Sequence, residues 1–284
     1  MRIKEYRSYF IKELTPIYDV GEVESFFYLI LEDKQQLRRI DLALTPDLSF
    51  SERDVLLWDE LVQQLKLEIP IQYLLGKTSF YGLDFAVNDA VLIPRQETEE
   101  LVDWIVSTVN SEKADLPLRI LDIGTGSGCI AISLAKNIKN ATVFAIDVSE
   151  EALETARKNA ANNNVVITFI SQNILETVDL EQRFDIIVSN PPYVRNLEKQ
   201  EIKKNVLDNE PHLALFVADD DALIFYTKIA QLSQKNLTSS GHLFFEINQY
   251  LGQEMVELLQ SLNFKNIELR KDIYGNDRMT KASI

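Results

Sequence analysis

Leu121-Asp122-Ile123-Gly124-Thr125-Gly126-Ser127-Gly128 is the stretch that decides the fold. An apolar run ends here in three glycines spaced two apart, and a helical pattern follows through Ile130, Leu134 and Ile138. Glycine lacks a Cβ, so such a loop turns sharply and lets its backbone approach a ligand. Further apolar runs lie around it, at 119–123, 142–146, 165–170, 184–188 and 242–247. Helical patterns at 130–138, 152–162, 223–237 and 255–262 separate most of them. Continuous apolar strands alternating with helices are expected of a parallel sheet covered on both faces. The spacing therefore predicts an α/β fold with its ligand at the carboxyl ends of the strands, where the strand order reverses. No internal repeat or low-complexity tract interrupts the pattern.

The first 75 residues read differently. Tyr6, Phe10 and Leu14 recur every four residues, and Val23, Phe26, Phe27 and Ile30 form another helical stripe. Ser51 followed by Asp54 is an N-cap signal for a helix carrying Leu56, Leu57, Leu61 and Leu65, and Pro70 closes it. A small helical domain is expected over 1–75. From Thr78 the period becomes two: Leu83, Phe85 and Val87 alternate with polar or small residues, and Tyr81-Gly82 supplies a turn. A hairpin linker is expected over 76–95, with a further helix starting near Thr98 in a domain that covers 96–284.

The 284 residues carry 29 Lys and Arg against 44 Asp and Glu, a formal net charge of −15. That field opposes attraction to nucleic acid or anionic lipid and argues against direct nucleic-acid binding. Cys129 is the single cysteine and His212 and His242 the only histidines, which excludes an intrachain disulfide and argues against any zinc or other metal site. The N-terminus has no signal-peptide core, and no uncharged stretch approaches the roughly 18 residues of a membrane span. A cytoplasmic protein is expected.

Gly128 stands four positions after Gly124, and position 129 is Cys. A dinucleotide loop would place its third glycine or alanine five positions on, so the spacing argues against a nicotinamide oxidoreductase. No Lys follows the glycines as a phosphate-binding loop requires. Asp147 ends the second apolar run, where a carboxylate accepts hydrogen bonds from both ribose hydroxyls, although an Asp there also caps the next helix. Together they point to a nucleoside. Asn173 and Ile174, after the third run, lie where an adenine ring would pass.

Asn190-Pro191-Pro192-Tyr193 closes the fourth run. Two prolines fix φ and remove two backbone donors, so this loop is stiff. The Asn190 side-chain oxygen and the Pro191 carbonyl form a pair of acceptors suited to the two N–H groups of a primary amide or exocyclic amine. Tyr193 can lay its ring against the same planar group. Holding an amide nitrogen in this way presents its lone-pair face to an electrophile and stabilises the charge that develops on it. An Asn-Pro-Pro stretch can also be a mere strand-ending turn; the glycine loop upstream gives it a chemical context.

The glycine loop preceded by Asp122 resembles the first motif of class I methyltransferases, and the chain as a whole resembles the HemK/PrmC family, the release-factor glutamine methyltransferases. The likeness runs through Ile71 to Gly76, Phe80 to Leu83, Leu92 to Glu99, Glu210-Pro211 with Ala214-Leu215-Phe216, Phe245-Glu246-Ile247 and Asp277-Arg278. It implies a Rossmann-like, mainly parallel seven-stranded sheet, with a helical N-terminal domain for substrate recognition joined by a β-hairpin. It also implies S-adenosylmethionine as cofactor, S-adenosylhomocysteine as product, no metal, and release factors as protein partners, modified at the glutamine of Gly-Gly-Gln. Gly124, Thr125, Gly126, Ser127, Gly128, Asp147, Asn173, Ile174 and Asn190 would then contact the cofactor, and Asn190 to Tyr193 the glutamine. Pro94, Arg95, Glu97 and Thr98 would lie near the domain junction. Two departures, Gln96 where the family usually has proline and Asn248 where glycine is usual, are expected to affect only loops outside the methyl-transfer centre. DNA adenine and RNA guanine amino-methyltransferases use the same tetrad and are the alternative within the enzymes. A non-catalytic translation-factor binding protein is the alternative outside them.

Overall fold

The structure, a computed structural model, describes residues 1–112 and 116–284. The chain divides into a helical unit (1–76 with 204–209) and an α/β unit (77–203 with 210–284).

The helical unit is built from α1 (Ile3–Leu14), α2 (Val20–Gln35), α3 (Arg39–Leu44), α4 (Glu52–Lys66) and α5 (Ile71–Leu75). Tyr6, Phe10 and Leu14 of α1 and Val23, Phe27 and Ile30 of α2 are buried together, as their spacing predicts. Trp58 completes this core, its ring centroid 5.0 Å from Phe27 and 4.9 Å from Phe50. Ser51 caps α4 by accepting from the Asp54 N–H, and Asp54 accepts in return from the Ser51 N–H. The buried stripe of α4 is Trp58, Leu61, Val62 and Leu65. Leu56 and Leu57, expected inside, are exposed: neither falls on the face that 58, 61, 62 and 65 define at 3.6 residues per turn.

The α/β unit opens with the hairpin β1 (Lys77–Phe80) and β2 (Leu83–Ala86). Its two-residue turn has positive φ at Tyr81 (48°) and Gly82 (74°), the geometry that matches strand twist. Then follow α6 (Gln96–Glu112), β3 (Leu118–Ile123), α7 (Cys129–Asn137), β4 (Ala141–Asp147), α8 (Glu150–Asn162), β5 (Ile167–Ser171) and β6 (Phe184–Ser189). After the two-residue strand β7 (Val194–Arg195) comes α9 (Lys204–Asn209), which groups with the helical unit, where Lys204 pairs with Glu68 at 3.3 Å. The chain ends in α10 (His212–Leu215), β8 (Phe216–Val217), α11 (Ile224–Asn236), β9 (Leu237–Glu246), α12 (Gly252–Ser261), β10 (Lys265–Lys271) and β11 (Asp277–Ser283).

Seven strands form one sheet in the order β10-β11-β9-β6-β3-β4-β5. The five apolar runs are its parallel strands, and β11 and β10 join antiparallel beyond β9. Consecutive strand residues point to opposite faces. Ile120, Val143, Ile186 and Phe244 pack with α6 and α7 on one side. Leu121, Ile146, Ile187 and Phe245 pack with α11 and α12 on the other. This two-sided burial is why the runs are apolar throughout. From β3 the chain winds outward through β4 and β5, then returns to the other side of β3 as β6. The reversal lies between β3 and β6, where the glycine loop and the Asn-Pro-Pro-Tyr tetrad both leave the sheet.

Candidate active site

Ile123 and Ser189 are register partners at the ends of β3 and β6. The buried Ser189 hydroxyl donates to the Ile123 carbonyl at 2.6 Å, fixing the start of the tetrad against the start of the glycine loop. The loop crosses to β4, where the Gly124 and Thr125 N–H groups donate to the Ile146 carbonyl at 2.8 and 3.0 Å. Gly124 and Gly126 have φ of 75° and 54°, and a Cβ on either would meet nothing within 4 Å. Their open sides face a cavity of about 340 Å³ that Thr125, Ser127, Asp147, Asn173, Ile174, Asn190, Pro191 and Pro192 also line.

Asp147 holds the loop: its Oδ2 accepts from Gly126 N–H at 2.8 Å and its Oδ1 from Ser149 N–H at 2.9 Å. It is both loop anchor and turn cap, and each oxygen keeps a second lone pair for a ligand hydroxyl. Beneath the loop lies Asp122, fully buried, accepting from the Thr125 hydroxyl at 2.6 Å. Burial pushes its carboxyl up to about 7. Burial also pushes the Cys129 thiol up to about 12, which leaves no thiolate nucleophile at neutral pH. Asn173 turns its amide into its own turn, with Oδ1 accepting from Leu175 N–H at 3.1 Å and Nδ2 donating to Glu176 at 2.9 Å.

Two of the expected site residues do not line the cavity. Gly128, with φ of 82°, starts α7, and a Cβ there would lie 2.9 Å from Ile132 Cδ1 and 3.1 Å from Ala156 Cβ. It is the glycine that lets α7 and α8 approach. Tyr193 packs against the apolar layer under α11, and its hydroxyl donates to Glu246 Oε1 at 3.0 Å.

Glu246 is the hub that links the tetrad to the sheet. It is 1% exposed at the end of β9, and its Oε2 accepts from the Thr98 hydroxyl at 2.6 Å. Thr98 Oγ1 accepts in turn from Asn190 Nδ2 at 3.3 Å. Burial raises the Glu246 carboxyl above its ordinary range, while Thr98, Arg278 and Tyr193 oppose that rise. Nearby, Arg95 lines the cavity and pairs with buried Glu210 at 2.5 Å, while the Ile93 N–H donates to the other Glu210 oxygen at 3.1 Å. Among the described residues no group of three or more His, Cys, Asp or Glu is arranged to hold a metal.

A release factor glutamine methyltransferase of Flavobacterium psychrophilum is 62% identical over 283 residues, covering 100% of this chain and 99% of that protein. The chain belongs to the release factor glutamine methyltransferase family. The protein of that name from Bacteroides thetaiotaomicron is 43% identical over 97% of this chain and 98% of its own. The family model described as methyltransferase small domain matches residues 102–215. A solved methyltransferase from Pyrococcus furiosus shares the fold, with a TM-score of 0.50 at 20% identity over 72% of this chain and 90% of that one. The protein is thus an S-adenosylmethionine-dependent methyltransferase of the class I fold. No helix of the described residues is long and apolar enough to cross a membrane.

Asn248, the departure from the family's usual glycine, is tied to the last residue of the tetrad. Asn248 is 3% exposed, and its Nδ2 donates to the Tyr193 carbonyl at 3.0 Å and to Glu198 Oε2 at 2.8 Å. Gln96, by contrast, is exposed at the start of α6. Sequence reasoning missed Asn159, fully buried in α8, whose Nδ2 donates to the Ala86 and Ser127 carbonyls, both at 2.9 Å. The signal was present: Asn159 shares its helix face with Ala152, Ala156 and Ala160, and a polar residue on an apolar face needs buried partners. Of the lysines after the tetrad, Lys199 sits 4.5 Å above the Phe216 ring and Lys204 pairs with Glu68.

Proposed function

We propose that this enzyme methylates the side-chain amide nitrogen of the glutamine in the Gly-Gly-Gln motif of peptide-chain release factors. The full-length identity to release factor glutamine methyltransferases carries the reading. Asn190 lines the cavity and donates from Nδ2 to Thr98, which keeps Oδ1 as its acceptor for a substrate amide and supports the reading.

The residues of the cavity fit the cofactor. Gly124 and Gly126 offer open backbone, Asp147 keeps free lone pairs for ribose hydroxyls, and Ile174 offers an apolar surface to a flat ring. When bound, S-adenosylmethionine supplies a methyl group made electrophilic by its sulfonium. The chain supplies position and charge complementarity. Asn190 Oδ1 and the Pro191 carbonyl accept the two N–H groups of the glutamine amide and hold its nitrogen with the lone-pair face toward the donor. As positive charge grows on nitrogen, both acceptors bind it more strongly, so they favour the transition state over the ground state. The alkylated nitrogen is acidic and loses a proton afterwards, so no general base is needed before transfer.

The helical unit, expected over 1–75, serves substrate recognition in this reading, and the cytoplasm is the compartment it requires. A net charge of −15 weighs against nucleic acid as the substrate. Purified enzyme, S-adenosylmethionine and an intact release factor, followed by peptide mass spectrometry, test the assignment. One added methyl group on the Gly-Gly-Gln glutamine is the expected result. A modified duplex DNA or RNA beside an unmodified release factor would replace it.

A further inference from the structure

We infer that Thr98 is a positioning residue for the methyl-accepting amide: its hydroxyl, with its proton committed to Glu246, fixes which way the Asn190 side chain faces. The inference rests on the reading of Asn190 as an acceptor for the substrate amide, and it adds the device that keeps Asn190 in that state.

A primary amide has two nearly isosteric ends, and nothing in its shape decides which end enters the cavity. With Oδ1 inward, Asn190 accepts from the substrate nitrogen; with Nδ2 inward, it presents a donor to a donor and repels it. Some partner must break this degeneracy. Glu246 accepts at both oxygens, from the Thr98 hydroxyl at Oε2 and from the Tyr193 hydroxyl at Oε1, so the 2.6 Å bond commits the single Thr98 hydroxyl proton to Glu246. What remains on Thr98 Oγ1 is lone pairs. Those favour the Nδ2 end of Asn190, found 3.3 Å away, and disfavour Oδ1. The other Glu246 oxygen is filled by the Tyr193 hydroxyl at 3.0 Å, so one carboxylate sets a group at each end of the tetrad.

The supports of this relay are rigid. Thr98 is 2% exposed in the first turn of α6, and its N–H donates to the Arg95 carbonyl at 3.2 Å. Glu246 is held by its place in β9, and its backbone carbonyl accepts from the Tyr226 hydroxyl at 3.1 Å. In a buried site, small changes of acceptor direction carry large energetic weight, because water is not present to replace a lost partner.

Thr98→Val removes the hydroxyl and keeps the shape; Thr98→Ser keeps the hydroxyl. Turnover on an intact release factor and S-adenosylmethionine affinity by calorimetry are measured for both beside the unchanged enzyme. The expected result is a kcat lowered about 10- to 100-fold in Thr98→Val, cofactor affinity within about twofold, and Thr98→Ser within about threefold of the unchanged enzyme. Thr98→Val with full turnover would overturn the inference, as would Thr98→Ser falling as far as Thr98→Val. Equal loss of cofactor binding and turnover in Thr98→Val would also overturn it, since that is general damage to the site. If the unchanged enzyme adds no methyl group, the substrate reading itself fails, which is a separate outcome.

Discussion

Asn248 and Tyr193 are joined across 55 positions of sequence by a 3.0 Å hydrogen bond from the Asn248 amide to the Tyr193 carbonyl. The same amide nitrogen donates to Glu198, itself buried, and Asn248 Oδ1 accepts from the Tyr250 N–H at 2.9 Å. All three polar functions of one side chain are therefore used to set the segment that leaves the tetrad. Asn248→Ala leaves the Tyr193 carbonyl and a buried carboxylate short of a donor. The expected loss is about 1–3 kcal/mol in urea unfolding, with a several-fold drop in methylation rate. Unchanged stability would mean that the clamp is redundant.

The glycines of the loop separate into two kinds, and substitution distinguishes them. Gly128→Ala puts a Cβ against Ile132 and Ala156 at positive φ, and the expected cost is about 1–3 kcal/mol of stability. Gly126→Ala adds its Cβ on the cavity side, where nothing lies within 4 Å. It costs about 1–2 kcal/mol for the left-handed backbone, and is expected to weaken cofactor binding at least tenfold. Thermal unfolding and calorimetry on the two variants test the split. Equal effects of both on both readouts would contradict it.

Asp122 gives the fold a pH dependence of unusual sign for a carboxylate. Burial raises its carboxyl to about 7 from an ordinary value of 3.8, so between these limits the folded state holds a proton that the unfolded state has lost. Its contribution is therefore full below about pH 4 and is lost as pH rises toward 7. From pH 5 to pH 8 this one group is expected to lower stability by about 2–3 kcal/mol. Asp122→Asn removes the titration, and denaturant unfolding at pH 5 and pH 8 should show a flatter profile for the variant. A steeper profile in the variant would contradict the assignment.

The parallel half of the sheet was legible because its strands are buried on both faces, which leaves no room for polar residues in Ile120 to Ile123 or Ile186 to Val188 except at the functional ends. The strands β10 and β11 were not. Lys265, Glu268, Arg270 and Lys271 break any apolar run in the outermost strand, and β11 carries Asp277, Arg278 and Lys281, so the count of seven came from family resemblance and not from pattern. The glycine loop and tetrad were readable as motifs because their chemistry is local. The relay from Asn190 through Thr98 to Glu246 was not, since Thr98 and Glu246 lie 148 positions apart and only the fold brings them together. Glu246 did leave a trace, as a charge inside the apolar run Leu243-Phe244-Phe245-Glu246-Ile247. Tyr193 shows the converse: its hydroxyl has a buried partner, Glu246, that the sequence does not reveal.

The claim that Asn190 serves the amide far more than the cofactor is tested most directly by Asn190→Ala. S-adenosylmethionine affinity is measured by calorimetry, and single-turnover methylation of an intact release factor by mass spectrometry. The account gives a rate reduced at least 100-fold, with cofactor affinity within about threefold of the unchanged enzyme. Cofactor affinity and rate falling by the same factor would contradict it and make Asn190 a cofactor-binding residue.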